Sequence, residues 1–216
     1  LDRSERELYE MDLILRVTRL KRAFADLGLL TIAACTPEHV ECLYIDEYCE
    51  EIDYGMEVDA VALSAKTSCV TRAYQVADEF RRRGVTVILG GIHASLRPDE
   101  ALEHADCIVT GEAEALWPGV VADLEAGTLL ERYDASEFPP MDEIPPPAWD
   151  IGGTRDLLFQ QLQTTRGCPF RCRFCSVPSI SGQSFRFKPV GRVMDELEDF
   201  PAVSTLLART RPLYIV

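Results

Sequence analysis

DAVALSAKTSCVTRAYQVADEFRRRGVTVILGG, residues 59–91, changes its apolar period twice. Asp59–Ala65 is a short run of small and branched apolar residues and reads as a strand. Thr71–Arg83 then sets Ala73, Val76, Ala77 and Phe80 three and four positions apart, one face of a helix. Gly84 stands where a helix end favours glycine, and Val85–Gly91 returns to a strand. Two strands joined through a helix are the unit of a parallel sheet, because a parallel return needs a long crossover.

The same alternation continues on both sides. Upstream, VECLYID (Val40–Asp46) reads as a strand. Downstream, a short helix opens near Pro98, and CIVTGE (Cys107–Glu112) reads as a strand leading into a helix from Ala113 to about Glu125. The fold class is therefore α/β: a doubly wound, flavodoxin-like (Rossmann-type) parallel sheet. MDLILRV (Met11–Val17) fits either the opening strand or part of one long charged helix. The difference matters, because the first strand is central in flavodoxin-like order.

The chain of 216 residues, 47% hydrophobic, has enough apolar material for one large core or two modest ones. Lysine and arginine total 22 against 36 acidic residues, and the net charge of -14 argues against nucleic acid or an anionic membrane as partner. No apolar run approaches the roughly 20 residues of a membrane span. LDRSERELYE lacks the charged-then-apolar order of a signal peptide, so a cytoplasmic location is expected.

FPPMDEIPPPAWD (Phe138–Asp150) holds five prolines, which disfavour helix and interior strand alike. It marks a linker between two units. The expected organisation is an extension over 1–27, the sheet domain over 28–131, the linker over 132–152 and a second domain over 153–216. In the second domain Leu157–Cys168 reads as a strand entering a loop, Val190–Phe200 as the helix that follows, and LYIV (Leu213–Val216) as the stub of another strand. A closed eight-fold barrel takes about 250 residues, so this segment is expected to supply only part of one.

Cys168, Cys172 and Cys175 are spaced CxxxCxxC on that loop. Three thiolates on a tight loop suit three corners of a [4Fe-4S] cluster and leave the fourth iron open to substrate or cofactor. Arg166, Arg171 and Arg173 surround the loop, where positive charge favours thiolates. A structural zinc site is the plainer alternative, but such sites want four ligands in paired spacing, and His39, His93 and His104 all lie far upstream. The crowding of three cysteines at metal-ligand spacing points to a reducing compartment.

TTRGCPFRCRFCSVPSISGQSFRFKPVGRVMDELE resembles the entry strand, cluster loop and first helix of radical S-adenosylmethionine (radical SAM) enzymes, over roughly residues 157–200. The resemblance implies that Phe174, before the third cysteine, packs near S-adenosylmethionine. It also implies that the open iron chelates that cofactor, and that an electron from the cluster splits its carbon–sulfur bond to give a 5′-deoxyadenosyl radical. A reductant such as ferredoxin or flavodoxin and a small-molecule substrate are implied with it. The later strands that would carry further cofactor contacts and most of the substrate pocket have no counterpart in the sequence, so this chain alone is expected to bind a cluster without turnover.

An α/β domain, a proline linker and this loop together look like the cobalamin-binding (B12-binding domain) subfamily, which includes methyltransferases and an anaerobic porphyrin ring cyclase. The likeness spans Gly28–Trp149. It rests on GLLTIAA (Gly28–Ala34) and TPEH (Thr36–His39) opening the first helix, Ser64 ending the third strand, the pair Gly90 and Gly91 ending the fourth, and Gly111 with Glu112 following the fifth. All cluster at strand C-termini, where open α/β sheets bind ligands. Ser64, Gly90, Gly91, His93, Gly111 and Glu112 are thereby candidate cobalamin contacts. The DxHxxG motif that supplies a lower axial histidine in many such domains is absent from the sequence, which suggests cobalamin bound without a protein imidazole, or not bound.

Plainer readings stand beside these. His93 suits a surface-loop or capping role equally well, and His104 a solvated helix end. Cys35, Cys42, Cys49, Cys69 and Cys107 read as buried thiols without redox function. Glu112 and Glu114 suggest an acid/base pair, but a helix N-terminus attracts acids through its dipole in any case. The alternatives to a cobalamin-dependent methyltransferase or cyclase acting on hydrophobic or tetrapyrrole-like substrates are two. One is a radical SAM protein whose first domain has become a docking module; the other is a non-catalytic, cluster-binding piece completed by a second chain. Exposed barrel edges predict self-association.

Overall fold

The computed structural model describes residues 15, 20–47, 49–152, 157–199 and 213–216. The choice between strand and helix over Met11–Val17 lies outside them, apart from the buried Leu15.

Helix α1, Leu27–Cys35, starts where Asp26 accepts a hydrogen bond from Leu29 N at 3.1 Å and so caps a free N–H. Four parallel strands follow in sequential order: β1 Ala60–Ser64, β2 Thr86–Gly90, β3 Cys107–Thr110 and β4 Arg132–Asp134. The register runs Ala60↔Thr86 to Ser64↔Gly90, Ile88↔Cys107 and Ile108↔Arg132, which brings the C-terminal ends of β1 and β2 level.

Alternation along the strands feeds two cores. Val87, Leu89 and Ile108 turn to helix α2, Val70–Arg82, whose Val76, Ala77 and Phe80 are buried as the helical spacing requires. Ile88, Cys107 and Val109 turn to the opposite face, where α1 supplies Ile32 and Cys35. Each side chain of this size fully buried contributes about 1.5–3 kcal/mol. Helices on both faces make the sheet doubly wound. Gly84 ends α2 with φ +81°, a conformation that a Cβ would strain.

Between β2 and β3 stand two helices, α3 Gly91–Leu96 and α4 Pro98–His104, where the sequence suggested one. The helix expected from Ala113 is α5, Trp117–Glu125. Pro118 suits its first turn, where a missing N–H costs nothing. The four residues before it, Ala113–Leu116, lie outside the helix.

Two further expectations need correction. Val40–Asp46 forms no strand; Tyr44 instead packs on the cluster of Ala25, Leu30 and Leu157, and Asp46 pairs with buried Arg22 at 2.6 Å. Val40 packs on the core around Ile88 and Trp117, and Leu43 faces solvent. Arg132–Asp134, read as the start of the proline linker, is the fourth strand, with Thr110 Oγ1 donating to Asp134 Oδ1 at 2.6 Å. Past it Met141 and Ile144 are buried, so the proline-rich stretch is packed down.

The second unit is built from β5 Gln160–Leu162 and β8 Leu213–Ile215, which pair in parallel, and β6 Thr165–Arg166 and β7 Arg186–Phe187, which pair antiparallel. Thus LYIV does supply a strand, while the entry strand is interrupted between Leu162 and Thr165. A short helix, α6 Val177–Ile180, lies inside the β6–β7 hairpin, and α7, Val190–Asp199, follows it. Lys188 and Glu196 form a buried ion pair at 2.5 Å across the start of α7. Leu158 N donates to Arg22 O at 2.9 Å, Phe159 N to Ala23 O at 3.1 Å and Ala25 N to Gln161 Oε1 at 2.6 Å, so the segment before α1 is tied directly to this unit.

A cysteine hairpin seated on the strand ends

The C-terminal ends of β1, β2 and β3 gather Ser64, Gly90, Gly91, Gly111 and Glu112. Gly91 has φ +91°, and a Cβ on it would come within 2.9 Å of both Ala65 N and Ser64 Oγ. A Cβ on Gly111, at φ +77°, would meet Ala135 Cβ at 3.0 Å. The protein's own chain therefore accounts for both glycines. Ser95, a residue sequence reasoning missed, joins them: its Oγ donates to Gly91 O and accepts from Gly111 N, each at 2.9 Å.

His93 is buried beneath these loops, with Thr67 Oγ1 3.1 Å from Nδ1 and Glu100 Oε1 3.3 Å from Nε2. It is neither a surface nor a loop histidine, and both ring nitrogens have partners. His104 ends α4, stacked on Tyr74 at 4.0 Å and 2.9 Å from Asp78. His39 lies in the exposed loop after α1, with Glu125 Oε1 at 2.8 Å; TPEH follows that helix, because Pro37 cannot continue it.

The main electrostatic feature lies just past β3. Glu112 and Glu114, with side chains only 5% and 9% exposed, face Arg166 and Arg186 of the second unit. Arg166 Nη2 is 2.6 Å from Glu114 Oε1 and Nη1 is 3.2 Å from Glu112 Oε2, while Arg186 Nη2 donates to Glu112 Oε1. Burial works against the Arg166 charge, yet Glu114 and Glu112 outweigh it and hold its pKa above the ordinary arginine value. The helix-dipole account of these glutamates is thereby corrected, since α5 begins beyond them. So is the placing of Arg166 beside the thiols: its guanidinium points to the sheet domain.

Arg166 and Arg186 are partners in the β6–β7 register, so they form the base of the hairpin whose loop, residues 167–185, carries Cys168, Cys172 and Cys175. Arg186 also donates to Pro139 O at 2.6 Å and Ser181 O at 3.2 Å and lies over the Phe138 ring, which packs on Gly182. Gly182 O in turn accepts from Cys168 N at 3.1 Å. Gly167 has φ +81°, and a side chain there would overlap Ser184 O.

Cys172 is exposed, Cys168 and Cys175 are half-buried, and Cys175 N donates to Cys172 O at 3.1 Å in a tight turn. Among the described residues no three His, Cys, Asp or Glu side chains converge in a metal-binding arrangement, so the three thiols share a loop without being gathered to a point. The donor chemistry nevertheless fits a cluster: three free thiols on one short loop. Phe174 is 93% exposed and Phe170 67%, leaving an apolar flank beside the thiols. Arg171 and Arg173 are exposed, Arg171 donating to Gln183 Oε1 at 2.6 Å.

Cys35, Cys42, Cys69, Cys107, Cys168, Cys172 and Cys175 are free thiols. Of the five upstream cysteines only Cys107 is fully buried, and burial pushes its thiol up to about 12; the other four are half-buried, against expectation. Burial, with help from Glu114, also raises Cys35 to about 11. Among the described residues no helix is long and apolar enough to cross a membrane.

Fold and site define an α/β protein in which a parallel-sheet domain presents its strand ends to a cysteine-bearing hairpin. Residues 15–121 match the model of the B12 binding domain. The chain is 38% identical over 183 residues to the bacteriochlorophyllide d C-8(2)-methyltransferase of Chlorobaculum tepidum, covering 80% of this chain and 40% of that protein. It is 28% identical over 165 residues to the anaerobic magnesium-protoporphyrin IX monomethyl ester cyclase of Cereibacter sphaeroides, covering 61% and 27%. The fold superposes on the radical S-adenosylmethionine methyltransferase TsrM of Kitasatospora setae with a TM-score of 0.66 at 17% identity, over 85% of this chain and 44% of that one. The chain carries a B12 binding domain and shares its fold with a radical S-adenosylmethionine methyltransferase. It spans about two fifths of the length of the relative with 38% identity.

Proposed function

We propose that the chain forms the cofactor-binding part of a radical SAM methyltransferase, with cobalamin at the strand ends of the sheet and a [4Fe-4S] cluster on Cys168, Cys172 and Cys175. The observation that carries this reading is the pairing of Glu112 and Glu114 with Arg166 and Arg186, which seats the cysteine hairpin on the sheet's ligand-binding edge. When bound, the cluster would supply the electron that cleaves S-adenosylmethionine, and cobalamin would carry the methyl group.

The chain's own residues support each part of this. Cys168 is held at the loop's entry by Gly182 O, and exposed Phe174 offers an apolar surface for the adenosyl group. Glu114 Oε2 is buried without a hydrogen-bond donor among the described residues, which fits acceptance from the carboxamides that rim a corrin ring. Ser64, Gly90, Gly91 and Gly111 shape the floor of that edge, with His93 bracing it from below. Methyl transfer is favoured over ring formation because the 38%-identical relative is named a methyltransferase, and a tetrapyrrole-like substrate is proposed on the same ground. Three cysteines at cluster spacing suit a cytoplasmic, reducing setting with a ferredoxin- or flavodoxin-like donor. Any remaining barrel strands would come from elsewhere in the protein or from a second chain.

A second reading, a sheet domain that has lost cobalamin and serves as a docking module, is favoured by one observation: Ser64, Ala65 and Ala135 already occupy the space beside Gly91 and Gly111. Anaerobic reconstitution with iron and sulfide, then electron paramagnetic resonance of the reduced protein with and without S-adenosylmethionine, tests the cluster. A [4Fe-4S] signal that shifts with S-adenosylmethionine is expected; zinc in place of iron would overturn the proposal. Titration with hydroxocobalamin separates the two readings, since saturable binding is expected only of the first.

A further inference from the structure

We infer that Glu112 and Glu114 are positioning residues for the cysteine loop: with Arg166 and Arg186 they form a neutral four-charge clasp through which the sheet domain sets the hairpin's place and angle. The inference deepens the proposed function, on which it rests for the loop's cofactor but not for the clasp itself.

Two carboxylates face two guanidiniums, all with side chains 5–16% exposed. Removing each ion from water costs several kcal/mol, and well-packed apolar residues would hold two units together at least as tightly. What a charge set adds is direction, because planar guanidiniums accept partners only along fixed N–H vectors. The placement here uses that property. The two arginines are opposed in the β6–β7 register, one on each strand, so fixing both fixes the hairpin base in translation and rotation. From Arg186 the constraint passes by packing: its guanidinium covers Phe138, Phe138 fills the space beside Gly182, and Gly182 O holds Cys168 N. A displacement at Glu112 thus reaches the first cysteine through four contacts, by way of Arg186, Phe138 and Gly182.

The network is also left unfinished. Glu114 Oε2 and Arg186 Nε are buried without hydrogen bonds among the described residues. A set that served stability alone would be expected to satisfy these atoms. Their open valences allow the clasp to tighten or turn when a donor arrives at the strand ends, which links occupancy of that edge to the pose of the loop.

The test is amide hydrogen exchange on the cofactor-free full chain, comparing wild type with Glu112→Gln, Glu114→Gln and Arg186→Lys, and with Glu47→Gln, which removes an exposed ion pair to Arg72. Exchange across residues 167–185 is expected to accelerate about tenfold or more in the Gln variants, with a smaller rise for Arg186→Lys. β2 and β3 are expected to stay within about twofold, and Glu47→Gln to change neither region. Unchanged exchange in the hairpin would overturn the clasp, as would an equal rise in hairpin and sheet, the mark of a merely structural pair. On reconstituted protein, Glu112→Gln is expected to retain iron while altering the line shape of the reduced cluster. If wild type takes up no cluster, the proposed function falls, and the exchange data still decide the clasp.

Discussion

Arg166 Nη2 lies 2.6 Å from Glu114 Oε1, in a pair whose side chains are 11% and 9% exposed. Replacing Arg166 with Met leaves two buried carboxylates to share one guanidinium. Loss of about 3–5 kcal/mol is expected, the usual cost of breaking a buried pair from one side. Urea unfolding of Arg166→Met against wild type measures it, and a loss below about 1 kcal/mol would put the pair in the class of surface bridges.

Gly91 and Gly84 both have positive φ, +91° and +81°, yet only Gly91 has neighbours where a Cβ would stand. Gly84→Ala should therefore cost about 1 kcal/mol from backbone strain alone. Gly91→Ala adds a collision with Ala65 N and Ser64 Oγ, and is expected to cost at least about 1–3 kcal/mol more as β1 and β2 are pushed apart. Thermal unfolding of the two variants side by side gives the comparison.

Gly167→Ala should act locally. Its Cβ would overlap Ser184 O and come within 2.9 Å of Ser181 O, so the loop must open at its neck. Iron and sulfide uptake is expected to fall severalfold while far-ultraviolet circular dichroism stays close to wild type.

The Cys107 thiol, raised by burial to about 12 from an ordinary value near 9, holds its proton in the folded state where the unfolded chain releases it. Its contribution is therefore fully present below about pH 9 and is lost as pH climbs toward 12. Unfolding free energies of wild type and Cys107→Ala across that window should converge as pH rises. Thiol labelling at pH 8 followed by mass spectrometry should modify exposed Cys172 first and Cys107 only on unfolding.

The elements legible in the sequence were those whose period and punctuation agreed. α2 was set by four apolar residues on one face and by Gly84, and β2 and β3 by short runs that feed both cores. β4 was hidden because Arg132, Tyr133 and Asp134 carry no apolar alternation; an edge strand of three residues needs only its backbone ladder. Val40–Asp46 misled for the opposite reason: apolar residues were present, but Tyr44 served the junction with Leu30 and Leu157. The cysteines were legible from spacing alone. Their seat was not, since Glu112 and Glu114 met their partners only through tertiary structure, and Arg186 carried no local signal. A hint existed in the charge pattern, an acidic pair at a strand end and arginines flanking a loop in an otherwise acidic chain.

The β6–β7 pairing has one more consequence. Because the chain enters and leaves the cysteine loop at the same two paired residues, everything from 167 to 185 hangs from a single fixed root. Lengthening such a loop is thermodynamically mild, about 0.6 kcal/mol per doubling. The segment can therefore be treated as an exchangeable cassette. Loops of different length and sequence, grafted between Arg166 and Arg186, would inherit the same mooring on the sheet and differ only in what they hold over it.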